Sequence, residues 1–287
     1  MKVATIQMVS GASVQGNLNT ALTLLTGAAR AGAELALLPE YFCLLGHRDT
    51  DKLAIQEVFG DGPIQHFLAG AARSLGLWIV GGTLPLSCDP HEPQGSTGGA
   101  PDGEPGPRRV FNSSLVFSPA GGCVQRYDKI HLFWFDNGRE RYDESRALLR
   151  GGTPATFELP SRDGHPWKIG QSVCYDLRFP ELYRVYAAAG VDVLLVPSAF
   201  TFTTGQAHWE TLLRARAIEN LAFVAAPAQG GVHENGRRTW GHSMLIDPWG
   251  VVLSERAQGS GVDVVELDHP KLRQLRLQLP ALEHRVL

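Results

Sequence analysis

Glu40, Lys129 and Cys174 bring a carboxylate, an ammonium and a thiol to the predicted ends of three strands. A thiol needs a base to become a nucleophilic thiolate, a tetrahedral intermediate needs a donor for its oxyanion, and a departing amine needs a proton. These three residue types supply those needs. Because strand ends can meet at one edge of a sheet, the positions are compatible with acyl transfer through a cysteine.

Each of the three residues also has a purely structural interpretation. Free cysteine is among the most buried residue types, so Cys174 could be a small core side chain. Glu40 could lie at a rim where water satisfies it, although partial burial there would raise its pKa towards that of a general base. Lys129 lies between apolar residues and could extend its ammonium to solvent.

The stretch from Gly170 to Glu181 sets Cys174 between an apolar run and a helix start. Residues 167–173 have the length and composition of a strand. Pro180 fits a first helical position, where its missing N–H has no intrahelical partner in any case. The nucleophile candidate is therefore expected where a strand ends and the next element begins.

Hydrophobic periodicity predicts helices that alternate with strands in the first part of the chain and paired strands in the middle. This order predicts an α/β layered fold in which outer helices cover two sheets. Asp61 is the expected N-cap of the second helix. The segment 134–152 is expected to be an ordered loop over a pocket, and 87–109 a long surface loop. The predicted helices are 17–31, 63–75, 180–189, 207–219 and a basic amphipathic 270–279; the predicted strands are 2–9, 35–38, 77–80, 110–117, 123–127, 167–173, 191–197, 221–226, 243–247, 251–254 and 262–267.

The composition favours one globular domain over residues 1–287, with 44% hydrophobic residues to build its core. A net charge of −3 gives no electrostatic footprint for a polyanion, so no nucleic-acid partner is expected. The chain opens as a strand without a signal-peptide pattern and has no run of about 18 apolar residues, which predicts a cytoplasmic protein with no membrane partner. Its four cysteines form no C-x-x-C pair and suggest neither disulfides nor a zinc site.

Motifs for other chemistries are missing from the sequence. It contains no G-x-G-x-x-G, Walker loop, H-E-x-x-H or G-x-S-x-G pattern, so nucleotide, zinc and serine-hydrolase functions lack their usual carriers. The ten histidines include no ligand-like pair on one helix face. We therefore expect no cofactor and no metal.

Three motifs in combination resemble the nitrilase superfamily of carbon–nitrogen hydrolases over nearly the whole chain. They are L-L-P-E-Y-F around Glu40, Y-D-K-I-H-L-F around Lys129 and C-Y-D-L-R-F-P-E-L from Cys174. The resemblance implies a four-layer α-β-β-α sandwich with Glu40 as general base, Lys129 as oxyanion stabiliser and Cys174 as nucleophile. It also implies a second glutamate in the loop after the lysine, matched by Glu144 in R-Y-D-E-S, which orients Lys129 or helps to position the attacking water.

Two further stretches, 197–220 and 241–250, are similar to the Nit-type amidase branch. That branch implies hydrolysis of the terminal amide of a 2-oxo acid, most closely deaminated glutathione, to a carboxylate and ammonia through a cysteine thioester. The run W-F-D-N-G after Phe133 departs from the D-V-D type of many relatives, at the expected pocket rim. The alternatives are an ω-amidase, a carbamoyl amide hydrolase, a nitrilase, or a non-catalytic binding protein of the same fold.

Arg178 is the expected partner of a substrate carboxylate, because a guanidinium fork matches a carboxylate bidentately. The resemblance assigns it to the 2-oxo acid end. The alternative for Arg178 is a salt bridge to Glu181 or Asp176.

The remaining substrate contacts follow from the same resemblance. The Tyr175 backbone N–H is expected to join Lys129 at the oxyanion, and Phe200 and Thr204 are expected in a loop that follows a strand and lines the pocket. The expected partners are a small amide substrate, water and a second copy of the chain, since the family commonly dimerises through helices near the nucleophile.

Overall fold

The computed structural model of the protein describes residues 1–88 and 109–286. The expected surface loop at 87–109 therefore falls almost wholly outside the described residues. Within the described ranges, no helix combines the length and apolar character needed to cross a bilayer.

Three of the five helices in the described ranges begin at a side-chain N-cap. The side chains of Ser13 and Thr201 accept a backbone N–H of the first turn in two of them. These caps lie upstream of the first apolar position, so both helices begin earlier than predicted. The helices are α1 Val14–Arg30, α2 Pro63–Leu75, α3 Pro180–Ala188, α4 Phe202–Asn220 and α5 His269–Gln278, with 3₁₀ turns at Asp51–Ile55, Glu144–Arg146 and Cys174–Arg178.

The strands are short and mostly buried. Every predicted strand is present in the structure, usually with slightly different ends. The strands are β1 Lys2–Gln7, β2 Leu35–Leu37, β3 Trp78–Val80, β4 Leu84–Ser87, β5 Val110–Phe117, β6 Cys123–Asp128, β7 Trp134–Asp136, β8 Arg141–Asp143, β9 Leu148–Leu149, β10 Ala155–Pro160, β11 Pro166–Gln171, β12 Val193–Leu195, β13 Phe223–Ala226, β14 Gly230–Val232, β15 Arg238–Trp240, β16 Ser243–Ile246, β17 Val252–Arg256 and β18 Gly261–Glu266.

Two mixed sheets form the centre of the molecule. The first has the order β18-β1-β2-β3-β5-β4, and β6 and β9 also pair with β5. The second has the order β10-β11-β12-β13-β16-β17. In each sheet three neighbouring strands are parallel, β1 to β3 in the first and β11 to β13 in the second. Buried parallel strands require cover on both faces, which explains their continuous apolar runs.

Three hydrophobic clusters show that the layers are ordered helix, sheet, sheet, helix. Alternate residues of the first sheet pack with α1 and α2, and alternate residues of the second pack with α3 and α4. The remaining faces pack against each other, with Leu37 and Val116 from one sheet and Ile169 and Leu195 from the other in one cluster. The expected four-layer α-β-β-α sandwich is confirmed.

Two local predictions were wrong. Asp61 does not cap α2, because Gly62 occupies the N-cap position and Glu57 accepts the first-turn N–H groups, including that of Ile64 at 2.5 Å. The segment 134–152 is not a loop throughout, since it contains the β7–β8 hairpin, a 3₁₀ turn and β9. Short strands flanked by charges have no clear period, which hid this hairpin from the sequence.

Candidate active site

Glu40 follows β2 and is fully buried, with 1% of its surface exposed. Its Oε1 accepts hydrogen bonds from Asn112 Nδ2 at 2.9 Å and from Lys129 Nζ at 3.0 Å. Its Oε2 accepts from the backbone N–H of Ala199 at 2.9 Å. Three donors therefore fix this carboxylate in the interior, and the interpretation of Glu40 as a solvent-satisfied rim residue is wrong.

Lys129 follows β6 and is also fully buried, so its ammonium does not reach solvent. Besides Glu40, its Nζ donates to both carboxylate oxygens of Glu144, at 2.9 and 2.8 Å. Burial alone would lower the pKa of Lys129, but the negative charges of Glu144 and Glu40 outweigh it and raise the pKa. The ammonium is thus a permanent positive charge between two carboxylates.

Glu144 lies in the 3₁₀ turn after β8 and receives two further hydrogen bonds. The Tyr41 hydroxyl donates to it at 2.9 Å and the backbone N–H of Phe133 at 2.7 Å. Burial opposes ionisation, yet the charges of Lys129 and then Lys52 lower the pKa of Glu144 overall. This charged carboxylate holds the Lys129 ammonium in place.

Cys174 opens the 3₁₀ turn that follows β11 and adopts a left-handed backbone conformation with φ 51°. A non-glycine residue pays strain energy in this region, and such strain is concentrated at functional sites. The backbone N–H of Cys174 donates to Pro197 O at 3.0 Å, which fixes the turn. Burial, followed by the negative charge of Glu40, raises the pKa of the thiol well above its usual value, although Lys129 opposes this.

The sequence suggested that the three side chains come from one sheet edge, but they do not. Glu40 and Lys129 follow strands of the first sheet, whereas Cys174 follows β11 of the second. They meet because the two sheets face each other. The Ala199 backbone N–H donates to Glu40, and Ala199 lines the same cavity as Cys174, which places the thiol close to the buried carboxylate.

Asp176 connects the turn that begins at Cys174 to the strand end that carries Lys129. Its carboxylate accepts from Tyr127 OH at 2.7 Å, from the His131 backbone N–H at 2.9 Å and from the Val173 backbone N–H at 2.9 Å. His131 Nδ1 lies 2.7 Å from the same group. The motifs around Lys129 and Cys174 therefore share one buried hydrogen-bond network.

Two glycines allow the chain to approach the site closely. A Cβ at Gly82 would lie 2.0 Å from Pro39 O, directly before Glu40. A Cβ at Gly151 would lie 2.0 Å from Asp128 O, directly before Lys129. Neither distance is possible between two non-bonded atoms. Only glycine therefore fits at positions 82 and 151, where the chain passes the residues that precede Glu40 and Lys129.

A small cavity of about 10 Å³ lies beside Cys174. All four predicted substrate contacts line it, but Thr204 belongs to the first turn of α4 and not to a loop. The prediction missed this because the Thr201 cap precedes the apolar period of the helix. The lining residues are Phe133, Cys174, Tyr175, Arg178, Ala199, Phe200, Thr201 and Thr204.

Arg178 lies over this cavity with its guanidinium carbon 5.7 Å from the ring centres of Tyr175 and Phe200. Both of its terminal nitrogens lie 3.3 Å from His208 Nδ1. Within residues 1–88 and 109–286, no carboxylate lies within 4.0 Å of it, so the alternative salt bridge is not formed. In the same ranges, the Tyr175 backbone N–H has no hydrogen-bond acceptor.

Sequence reasoning missed several groups that complete the site. Asn112 and Tyr41 contact the two carboxylates, and Asp176 positions two turns, yet none is of a type that demands a catalytic role. The one sequence signal for the Asp176 network is that tyrosine and aspartate recur in the motifs around Lys129 and Cys174, with a histidine in the first of them.

One cluster in the described part of the chain has metal-ligand residue types, namely His165, Asp192 and His269, whose ligand atoms lie within 4.8 Å of one another. The two imidazoles are stacked at 3.4 Å with planes 14° apart, and Arg276 already pairs with Asp192 at 3.1 Å. Nearly parallel stacked rings cannot both aim a lone pair at one ion, because each lone pair lies in its ring plane. The cluster is better suited to packing α5 than to holding a metal.

Comparisons with known proteins agree with this geometry. A curated relative from Synechocystis, named deaminated glutathione amidase, is 38% identical over 285 residues, covering 99% of this chain and 97% of the relative. A human protein of the same name is 37% identical, covering 99% of this chain and 81% of the relative. The solved structure of the C. elegans NitFhit protein matches with a TM-score of 0.82 and 32% identity; the match covers 99% of this chain but only 65% of that longer chain.

The profile of the carbon-nitrogen hydrolase family matches residues 2–277, nearly the full length. The sandwich fold agrees with this match. So does the site, with its buried carboxylate and ammonium beside a strained cysteine. The chain belongs to the carbon–nitrogen hydrolase family.

Proposed function

We propose that this chain is an amidase that hydrolyses an amide of a 2-oxo acid, with deaminated glutathione as the preferred substrate, through a Cys174 thioester. The observation that carries the proposal is the buried cluster in which Lys129 Nζ contacts Glu40 at 3.0 Å and Glu144 at 2.8 Å beside Cys174. The names of the Synechocystis and human relatives support the choice of substrate.

In the first half-reaction Glu40 takes the proton from the Cys174 thiol, and the thiolate attacks the amide carbon. The resulting oxyanion is stabilised by the Lys129 ammonium and by the free N–H of Tyr175. The raised pKa of the thiol is consistent with this order, because a thiol that stays protonated needs an adjacent base to become nucleophilic. The C–N bond then breaks, and the proton held by Glu40 passes to the departing amine.

In the second half-reaction a water molecule loses its proton to Glu40 and attacks the thioester carbon. The same two donors stabilise the second oxyanion, the C–S bond breaks, and the thiol regains the proton. Glu144 keeps the Lys129 ammonium fixed during both steps, since it accepts two hydrogen bonds from it.

The leaving group depends on the amide that is cleaved. In deaminated glutathione the amide joins the distal carbonyl of a 2-oxo acid to the amine of cysteinylglycine, so the first product is that dipeptide and not ammonia. Ammonia is released from primary amides such as 2-oxoglutaramate. Both substrates leave the same dicarboxylic 2-oxo acid on hydrolysis of the thioester.

Arg178 is proposed to bind the carboxylate of the 2-oxo acid, with Phe200 and Thr204 packing along the acyl chain. The cavity of about 10 Å³ is smaller than a five-carbon acyl group. Binding therefore requires lining side chains to move, and we expect Arg178, which lies on the ring faces of Tyr175 and Phe200, to turn towards the carboxylate.

The test is a steady-state comparison of deaminated glutathione with 2-oxoglutaramate, a carbamoyl amide and a nitrile, with the acid product as the readout. We expect the highest kcat/KM for deaminated glutathione. A higher value for 2-oxoglutaramate would favour the ω-amidase alternative. Absence of hydrolysis together with absence of a thioester adduct in mass spectra would favour a non-catalytic protein.

We also infer that the chain works as a single domain in a cytoplasmic homodimer. Exposed apolar side chains on the helices that follow the nucleophile support the dimer, with Val185 on α3 51% exposed and Ile218 on α4 48% exposed. Sedimentation equilibrium of the purified chain tests the homodimer. Fractionation of its host cells tests the cytoplasmic location.

A further inference from the structure

A second and much larger cavity, of about 550 Å³, opens next to the one beside Cys174. Phe133 lines the first cavity and Tyr142 lines the second, and the centres of their rings lie 5.7 Å apart. The two cavities therefore share a wall. They also meet along the start of α4, where Thr204 faces the first cavity and Thr203 the second. The two cavities are therefore immediate neighbours.

Three arginines line this second cavity: Arg141, Arg237 and Arg238. The guanidinium of Arg238 lies 3.9 Å from the ring centre of Phe202, and that of Arg237 lies 4.9 Å from the ring centre of Tyr142. The aromatic faces hold both guanidiniums while leaving their N–H groups available in the ring plane.

In the part of the chain that the structure describes, the two arginines carried by these rings have no protein counter-ion. Within the described ranges no carboxylate lies within 4.0 Å of Arg237 or Arg238, whereas Arg141 pairs loosely with Asp136 at 3.9 Å. The Nε of Arg237 is buried and has no acceptor in those ranges. A buried donor left unpaired is costly, and an anionic ligand would satisfy it.

The acidic residues of the cavity only partly offset this charge. Glu140 is engaged by the Thr203 hydroxyl, which donates to its Oε2 at 3.1 Å, and Asp49 is exposed at the rim. Arg141 is already paired with Asp136, so the positive charge that a ligand can meet is that of Arg237 and Arg238. A guanidinium fork binds a carboxylate bidentately, which makes a carboxylate a suitable ligand here.

We propose that the second cavity binds the terminal carboxylate of the departing amine, with Arg237 and Arg238 as its partners. This inference rests on the proposed function. An extended dipeptide spans about 7 Å from its amine to its carboxylate, so an anion held in a neighbouring cavity suits a leaving group of two residues. The substrate class is thus a dianion, with one carboxylate for Arg178 and the other for Arg237 and Arg238.

The experiment measures selectivity for the carboxylate. Deaminated glutathione and the same compound with its glycine carboxylate converted to an amide are compared on the wild type and on Arg237→Gln, Arg238→Gln and Arg237→Lys. The readout is the ratio of the two kcat/KM values. Arg30→Gln, an exposed arginine at the end of α1, is the matched control.

We expect the wild type to prefer the carboxylate by about 10- to 100-fold, the range of one or two charge-assisted hydrogen bonds. Each glutamine variant should lower the ratio towards one, Arg237→Lys should keep part of it, and Arg30→Gln all of it. A wild-type ratio near one, or a ratio unchanged in both glutamine variants, would overturn the inference while the proposed function stands. If the wild type hydrolyses neither compound but cleaves 2-oxoglutaramate, the choice of substrate is wrong and the inference falls with it.

Discussion

At the scale of single residues, the site is governed by one positive charge among three groups that can carry a negative one. Lys129 contacts Glu40 and Glu144 directly, and its charge also acts on Cys174. Burial and the two carboxylates nevertheless keep the pKa of the thiol raised. The raised pKa favours the neutral thiol, so in the proposed mechanism Glu40 must act as the base within each turnover.

Replacing Glu40 by glutamine should separate the charge of this residue from its role as a base. Because the negative charge of Glu40 raises the Cys174 pKa, Glu40→Gln should lower that pKa while decreasing kcat by about two to four decades. The thiolate is titrated by its ultraviolet absorbance, with Cys174→Ala subtracted to remove the other cysteines. A midpoint that rises or stays unchanged in Glu40→Gln contradicts this account.

Replacing Lys129 by methionine should affect both stability and rate. Glu40 and Glu144 would remain buried without their cation, which costs about 3–5 kcal/mol of unfolding free energy, and loss of the oxyanion donor costs about two to three decades in kcat. The stability loss should shrink at lower pH, since the unpaired carboxylates can then be protonated. Urea unfolding at two pH values tests this, with exposed Lys2→Met as the control; equal stability of wild type and Lys129→Met would contradict it.

At the scale of elements, two turns from different sheets must be held together. The 3₁₀ turn Cys174–Arg178 follows β11, and the Lys129 segment follows β6. Asp176 connects them through Tyr127 and His131, whose ring also stacks on Phe179 at 3.7 Å. The distance between nucleophile and ammonium therefore depends on a residue that touches neither substrate nor reacting atom.

Asp176→Asn tests this positioning role. An amide NH₂ would replace one oxygen among donors that all point at it, so we expect a stability loss of about 1–3 kcal/mol and a lower kcat with a smaller change in KM. Tyr127→Phe removes one donor only and should have a weaker effect in the same direction. The result that counts against positioning is a stability loss with kcat unchanged.

At the scale of the whole molecule, the buried His233 and the half-buried His269 connect elements that are distant in sequence. His233 Nδ1 lies 2.9 Å from Ser10 O and joins the β14–β15 hairpin to the end of β1. His269 opens α5 and stacks on His165 at the edge of the second sheet. Burial is the first cause that lowers the pKa of both His233 and His269.

These shifts predict a stability that falls on mild acidification. A histidine whose folded pKa lies below its unfolded value of about 6.5 binds more protons when the chain is unfolded. The resulting loss of unfolding free energy is absent above that pH and grows below it. The unfolding free energy should therefore decrease from pH 7.5 to 5.5, and His269→Phe should reduce the decrease. Exposed His284→Phe is the control; an equal pH dependence in wild type and His269→Phe would count against the prediction.

The sequence by itself determined the helices, eleven of the eighteen strands in the described ranges and the position of each main candidate at a strand end. Apolar spacing reports which face of an element is buried, and this is a local property of the chain. Residue type and position were therefore enough to select Glu40, Lys129 and Cys174, and the resemblance supplied the four-layer fold and the roles of these residues, which stay predictions.

Only the tertiary structure decided which polar groups surround them. Glu40 meets Asn112 and the backbone of Ala199 across 72 and 159 residues, and no local pattern encodes such contacts. The order of strands and the packing of one sheet on the other create them. The same packing sets the second cavity, which Arg237 and Arg238 line, next to the cavity that Cys174 lines. A cavity is the space left between elements and belongs to none of them.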